Sequence, residues 1–316
     1  MEAEDIKKIA VIGAGVIGSS WATNFIWKGY PVKLWIYTEA EEEVARKEIR
    51  KHLEILVSNG VLDDEKVPQM MGLVNYTSSL EDAVKDVQFI QEATPDYLEL
   101  KQKMLVKIDE FSSPEAIYAS STSYLMISDI AKDSKYSKRC IGAHPYNPPH
   151  LIPLVEITKP KGKKGSSETT KTAYDFFKSI GKDPIILKKD ISGFIGNNIQ
   201  NAVTEKCMGL ITSGVCSFED VDKAICFGPG LRWATMGPNL IFHLGGGSGG
   251  IKGLMMHIMP DSIKAGQGFD KVADLLQREV NKEIANRLPE FGNTDEGLRE
   301  FRDYMLIEML KMHKKI

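Results

Sequence analysis

The first apolar run of the chain ends at Ile12, glycines follow at 13, 15 and 18, a helical segment closes at Gly29, and a second apolar run covers residues 32–36. Strand, tight turn, helix, strand is one βαβ unit. Residues 39–60 place Val44, Ile49, Leu53 and Leu56 at helical spacing, with Gly60 suited to cap the helix end. "VQFIQEA" and "AIYASSTS" are short apolar runs fit for buried parallel strands. Residues 154–157 and 184–187 add two strands, separated by the polar "KPKGKKGSSE" loop and a helix. Strands alternating with helices imply an α/β doubly wound sheet. Beyond residue 190 only helical patterns broken by glycine loops remain. Residues 193–214 are apolar enough for a buried helix, and 268–287 and 295–313 have amphipathic spacing. The expected organisation is therefore a doubly wound domain over residues 1–190 and an all-α C-terminal domain over 191–316. The length of 316 residues fits two domains, since a single core seldom grows beyond roughly 250–300 residues.

Composition narrows the partner. A formal charge of -3 with 26% charged residues gives no electrostatic case for nucleic acid or an anionic membrane surface, so a small molecule is expected. Cys140, Cys207, Cys216 and Cys226 lie far apart and form no CxxC pair, which points away from a zinc site or a disulfide framework and towards reducing cytoplasm. The opening "MEAEDIKK" is not a secretory leader. No run approaches the roughly 18 apolar residues of a membrane span.

"GAGVIG" sits between a strand and a helix, where G-x-G-x-x-G binds a dinucleotide. Gly13 makes the turn, Gly15 lets the backbone approach a pyrophosphate, and Gly18 lets helix and strand pack closely, while the first helical residues, Val16 and Ile17, offer amides to the anion. The fold class is then Rossmann-type. An acid for the adenosine ribose is expected where the second strand ends, but Ile36 stands there, followed by Tyr37, Thr38 and Glu39. The acidic run Glu39, Glu41, Glu42, Glu43 would repel a 2′-phosphate. NAD is expected ahead of NADP, with Glu39 or Thr38 in place of the missing acid.

Three more stretches fall where strands end or domains meet: "ASSTSYL" (119–125), "GAHPYNP" (142–148) and "DISGFIGNN" (190–198). Ligands of open α/β sheets bind outside the carboxyl ends of the strands, so Ser121, Ser123 and His144 are expected at one crevice. A glutamate, Glu156, follows His144 in the next apolar run, and a histidine backed by a carboxylate is a common general base. With "VIGAGVIGSS", "QEATPDYLELKQKML", "SSTSYL", "GAHPYNPPHLIPLVEI" and "SGFIGNNI" in this order, nearly the whole chain resembles the 3-hydroxyacyl-CoA dehydrogenase superfamily. The resemblance implies hydride transfer between the C3 alcohol of a 3-hydroxyacyl compound and NAD, and a helical domain that makes a homodimer. It implies His144 as general base held by Glu156, with Ser123 and Asn197 on the substrate oxygen. Glu92 and Lys101 match cofactor-side positions.

The substrate branch is expected to be decided by "FGPGLRWATMGPNLIFHLGGGSGGI" (227–251). This stretch resembles the branch that contains L-carnitine and L-gulonate dehydrogenases, which act on free acids, more than the acyl-CoA enzymes. Arg232 offers a planar fork to a carboxylate. Trp233, Tyr124, Tyr146 and Phe242 offer aromatic faces to a quaternary ammonium, which makes carnitine the preferred expectation. A 3-hydroxyacyl-CoA such as 3-hydroxybutyryl-CoA, L-gulonate, a crystallin-like structural role and an NAD-binding regulator stand as alternatives.

Overall fold

The computed structural model describes residues 1–264 and 268–316. It divides into two compact units, Met1–Ala202 and Val203–Ile316. The first unit carries the strands β1 (Ile9–Ile12), β2 (Val32–Trp35), β3 (Val74–Thr77), β4 (Phe89–Glu92), β5 (Ile117–Ser120), β6 (Cys140–Pro145), β7 (Leu154–Thr158) and β8 (Asp183–Ile186). Its helices are α1 (Val16–Trp27), α2 (Glu39–Ser58), α3 (Val67–Met71), α4 (Leu80–Val84), α5 (Leu98–Phe111), α6 (Ile127–Ile130) and α7 (Ser167–Ser179). A further helix, α8 (Phe194–Thr212), runs across the division.

The strands form one sheet in the order β3-β2-β1-β4-β5-β6-β7-β8. Its centre is buried on both faces, because alternate residues of one strand point to opposite sides. Ile9 and Val11 of β1 join one apolar cluster, with Phe89, Ile117 and Ile141; Ala10 and Ile12 join the other, with Ile90, Tyr118 and Cys140. All pairings are parallel except β6 with β7. Only residues 146–153 join those two strands, too few for the crossover of a dozen or more residues that a parallel return needs. The chain therefore doubles back, and His144 comes to lie opposite Glu156.

Helix ends follow the glycines. Gly29 (φ 84°) and Gly60 (φ 70°) lie just beyond α1 and α2 in the left-handed region that stops a helix. One strand, β3, was not expected: it has four residues, of which Val74 alone is buried, and so carries no apolar run.

The second unit is helical, as the pattern beyond residue 190 implies: α9 (Phe218–Cys226), α10 (Pro229–Met236), α11 (Pro238–Gly245), α12 (Gly250–Ile258), α13 (Asp261–Lys264), α14 (Phe269–Ala285) and α15 (Asp295–Met312). Leu240, Leu244, Ile251, Val280, Ile284 and Leu298 form its core. The burial expected for residues 193–214 is not found. Only Phe194 and Asn197 of α8 are buried, and Ile195, Ile199 and Met208 are 44%, 56% and 50% exposed. Apolar content sets what a helix can bury, and among the described residues no other element covers this one along most of its length.

Behind α1 lies a polar cluster. His150 is 4% exposed; its backbone amide donates to Ser20 Oγ at 2.9 Å, and that hydroxyl lies 2.8 Å from Nδ1. The ring stacks on His52 at 4.1 Å. Burial first, then the neighbouring His52 and Lys182, pull the His150 pKa down to about 4 from 6.5. Cys140 is also buried, and burial pushes its thiol up to about 12.

A depressed histidine pKa means that protonation favours the unfolded chain, so this stabilisation is complete above pH 6.5 and is lost as the pH falls towards 4. The free energy of urea unfolding is expected to decline across that window. In His150→Asn the slope should lose roughly one proton's worth of pH dependence. An unchanged slope would show that His150 does not titrate with unfolding.

Candidate active site

A cavity of about 710 Å³ opens where β1, β4 and β5 end, walled by Gly13, Gly15, Ile17, Glu41, Lys101 and Ser123 among others. Its volume is that of small-molecule sites generally. Gly13 has φ 104°, and a Cβ there would meet the Ala93 carbonyl oxygen at 2.9 Å; a Cβ on Gly18 would stand 1.8 Å from the carbonyl oxygen of Gly13. Gly18 thus shapes the turn from behind. A Cβ on Gly15 would meet nothing within 4 Å, so this residue borders the open space into which a pyrophosphate fits, beside the amide-rich start of α1. Val16 and Ser121 share the wall. The residues present therefore fit a dinucleotide.

Two expected cofactor residues stand off the cavity wall. Glu39 opens α2 as an exposed residue and is absent from the cavity wall, where Glu41 stands instead. A helical residue two places further on points to a different side. Glu92, 0% exposed, does not reach the wall either; it lies beneath Lys101, itself 1% exposed and on the wall. Lys101 Nζ donates to Oε1 at 2.8 Å and to Oε2 at 3.0 Å. Thr94 N and Oγ1 donate to Oε1, and Ser120 Oγ and Tyr118 OH to Oε2. Burial raises the Glu92 pKa, but the Lys101 ammonium and these hydrogen bonds outweigh it and hold the carboxyl below its usual range. Thr38 is the N-cap residue of α2, though its side chain makes no capping bond.

His144, at the end of β6, places Nδ1 2.8 Å from Glu156 Oε2. The other oxygen, Oε1, accepts from the amides of Ile195 (2.8 Å) and Gly196 (3.0 Å), in the first turn of α8. Glu156 is 0% exposed and His144 3%. The ring is stacked on Phe194 at 4.8 Å and lies 5.3 Å from Tyr146. With a carboxylate as acceptor, Nδ1 carries the proton and Nε2 is left as a base. Among the described residues Nε2 has no partner. A second histidine–carboxylate pair, His243 Nε2 with Asp295 Oδ1 at 3.0 Å, differs here: its Nδ1 accepts from the amide of Ile251 at 3.3 Å. Both nitrogens are engaged, so that pair is structural.

Ser123 does not cap α6. Asp190 does, accepting from the amides of Ile127 and Ser128. The Ser123 hydroxyl has no protein partner among the described residues, and the residue lines the cavity. Its backbone is fixed at both ends: Asp96 Oδ2 accepts from the amides of Ser123 and Tyr124 at 3.1 and 3.2 Å, and Asn197 Nδ2 donates to the Ser123 carbonyl at 3.3 Å. Tyr146 OH lies 3.4 Å from Asn197 Oδ1. A Cβ at Gly196 would meet Tyr146 OH at 2.2 Å, so the absence of a side chain admits this ring. Tyr124 is 48% exposed and reaches Asn201. Asp96 escaped the sequence reading because an acid in a loop carries no periodic signal.

Arg232, Trp233 and Phe242 belong to the second unit. Arg232 and Trp233 lie on α10, the arginine exposed and the tryptophan half-buried, and Phe242 lies on α11 with 41% exposure. Trp233 Nε1 is buried without a protein partner among the described residues.

The nucleotide-binding turn on a Rossmann sheet is that of an NAD-dependent dehydrogenase acting on a CH–OH group, the class that the family matches give. Residues 8–191 match the 3-hydroxyacyl-CoA dehydrogenase NAD binding domain and residues 193–288 the 3-hydroxyacyl-CoA dehydrogenase C-terminal domain, and the chain belongs to that family. It is 35% identical to an L-carnitine dehydrogenase of Bacillus cereus, over 100% of this chain and 95% of that one. It is 32% identical to a 3-hydroxyacyl-CoA dehydrogenase of Gibberella moniliformis, over 99% and 97%. The crystal structure of the Archaeoglobus fulgidus 3-hydroxyacyl-CoA dehydrogenase shares the fold with a TM-score of 0.71 at 24% identity, covering 98% of this chain and 100% of that one.

Replacing Lys101 with Met leaves the Glu92 charge buried and unpaired, a change that costs about 3–5 kcal/mol. Urea unfolding of Lys101→Met should show a loss of that order, and Glu92→Gln added to it should restore a part. A loss below about 1 kcal/mol would mean that the pair is not a buried charge pair in solution.

Proposed function

We propose that the protein oxidises the 3-hydroxyl of a small free 3-hydroxy acid to the 3-keto acid, with L-carnitine, giving 3-dehydrocarnitine, as the preferred substrate. The observation that carries the chemistry is the His144–Glu156 pair, with one ring nitrogen held and the other unpartnered. NAD, when bound, supplies the hydride acceptor. His144 Nε2 takes the hydroxyl proton, and Glu156 stabilises the imidazolium that results. The Ser123 hydroxyl donates to the substrate oxygen, and Asn197, already bonded to the Ser123 carbonyl, orients that serine and the substrate beside it.

For the substrate, the reading is supported by full-length likeness to an L-carnitine dehydrogenase and by Arg232, whose guanidinium suits a free carboxylate. Tyr124 and Tyr146, of the first unit, are aromatic candidates for the ammonium; Trp233 and Phe242 offer aromatic faces on α10 and α11 of the second unit. A 3-hydroxyacyl-CoA substrate is the second reading, favoured by the Gibberella relative. The exposed apolar residues of α8, Ile195, Ile199 and Met208, support a homodimer, since exposed apolar patches mark interfaces. The four cysteines, all free, support a reducing cytoplasmic setting.

His144→Ala is expected to lower turnover by about 10²- to 10⁴-fold while NAD binding, followed by titration calorimetry, stays intact. Near-wild-type turnover would remove the base assignment. Initial rates with L-carnitine, L-gulonate, 3-hydroxybutyrate and 3-hydroxybutyryl-CoA should favour carnitine, and Arg232→Met should raise its KM. Preference for the thioester would sink the free-acid reading and leave the catalytic set standing.

A further inference from the structure

The strand that usually supplies the ribose-binding acid ends here without one. β2 stops at Trp35, and Ile36, the next residue, is 3% exposed and packed in the core. Its amide is tied to the Thr77 carbonyl at 3.0 Å. Tyr37 turns out into solvent at 76% exposure. Neither offers a carboxylate. The position nevertheless forms one side of the large cavity, whose wall continues from Trp35 and Tyr37 to Glu41.

Glu41 lies in the first turn of α2, and its carboxylate folds back towards the end of β2. The Tyr37 amide donates to Glu41 Oε2 at 2.8 Å. One oxygen is thereby anchored by backbone, and Oε1 has no protein partner among the described residues. Glu41 also walls a smaller recess with Ala14, Gly15, Ala40 and Val44. The carboxylate therefore shares the cavity wall with the phosphate-binding turn and is held near the end of β2, where an acid for the adenosine ribose is expected. The neighbouring acids are otherwise disposed: Glu42 is paired with Arg46 at 2.6 Å, and Glu39 is exposed. The cation of Lys33 is directed to the Asp82 carbonyl at 2.6 Å, so nothing basic on β2 compensates Glu41.

The geometry points to Glu41 as the residue that selects NAD over NADP, its free oxygen accepting from the ribose hydroxyls and its charge repelling a 2′-phosphate. The anchoring by Tyr37 is what makes a helix-borne glutamate serve where a strand-end acid is missing. Because the anchor is a backbone amide, the arrangement does not depend on the identity of residue 37. Cofactor selection by Glu41 is independent of which hydroxy acid is oxidised.

Binding of half-cofactors tests it without catalysis. Calorimetry would compare 5′-AMP with adenosine 2′,5′-bisphosphate, and NAD with NADP, on the full chain and on Glu41→Gln, Glu41→Asp and Glu39→Gln. Wild type should prefer the ligands without the 2′-phosphate. Glu41→Gln should lose about 10- to 100-fold in affinity for NAD, as expected for a charge-assisted hydrogen bond, and its discrimination against the 2′-phosphate should shrink. Glu41→Asp, shorter by one methylene, should fall between. Equal affinity of Glu41→Gln and wild type for all four ligands would overturn the assignment. So would the same losses in Glu39→Gln with Glu41→Gln unaffected.

Discussion

One buried carboxylate ties β6, β7 and the start of α8 together. Glu156 sits at 0% exposure between a histidine ring on one side and two backbone amides on the other. A buried anion is tolerated only where charge or hydrogen bonds replace its hydration, and here each oxygen has its own replacement. The amides come from the first turn of α8, where the helix carries partial positive charge. His144 is thus oriented by the same group that fixes the start of the helix bearing Asn197. Phe194, at the head of that helix with φ 50°, stacks on the histidine and seals the pair.

The pairing rests on a reversal of the sheet. Parallel strands order the nucleotide half, with glycines at the end of β1 and a buried Glu92–Lys101 pair at the end of β4. The single antiparallel step from β6 to β7 brings His144 and Glu156 into one register. The glycine turn and the histidine–carboxylate pair are therefore carried by neighbouring segments of one sheet, and a rigid scaffold keeps such groups in place more accurately than loops do.

Much of this was legible because it is local. The glycine turn, the helix ends at Gly29 and Gly60 and the apolar strands of the sheet centre are each written in a few adjacent residues. His144 and Glu156 could be named from the family resemblance, but the reason they meet, a connection too short for a crossover, is a matter of topology. Glu39 was sought by its place after a strand, whereas the side of the first helical turn that a residue occupies decides which acid borders the cavity, and there Glu41 stands. Asp96 and the outer strand β3 lack any periodic signature. The burial expected of α8 followed from its apolar content, which does not say what covers it.

The four thiols are chemically unequal in a way that makes the protein convenient to label. Cys140 is buried in the sheet with its pKa pushed up to about 12, so it stays a thiol and is shielded from alkylating reagents, which attack the thiolate. Cys207, Cys216 and Cys226 all fall after Ala202, and Cys226 is exposed. A maleimide dye or spin label added to the unmodified chain thus marks the helical unit and leaves the nucleotide-binding unit untouched, without any engineered cysteine.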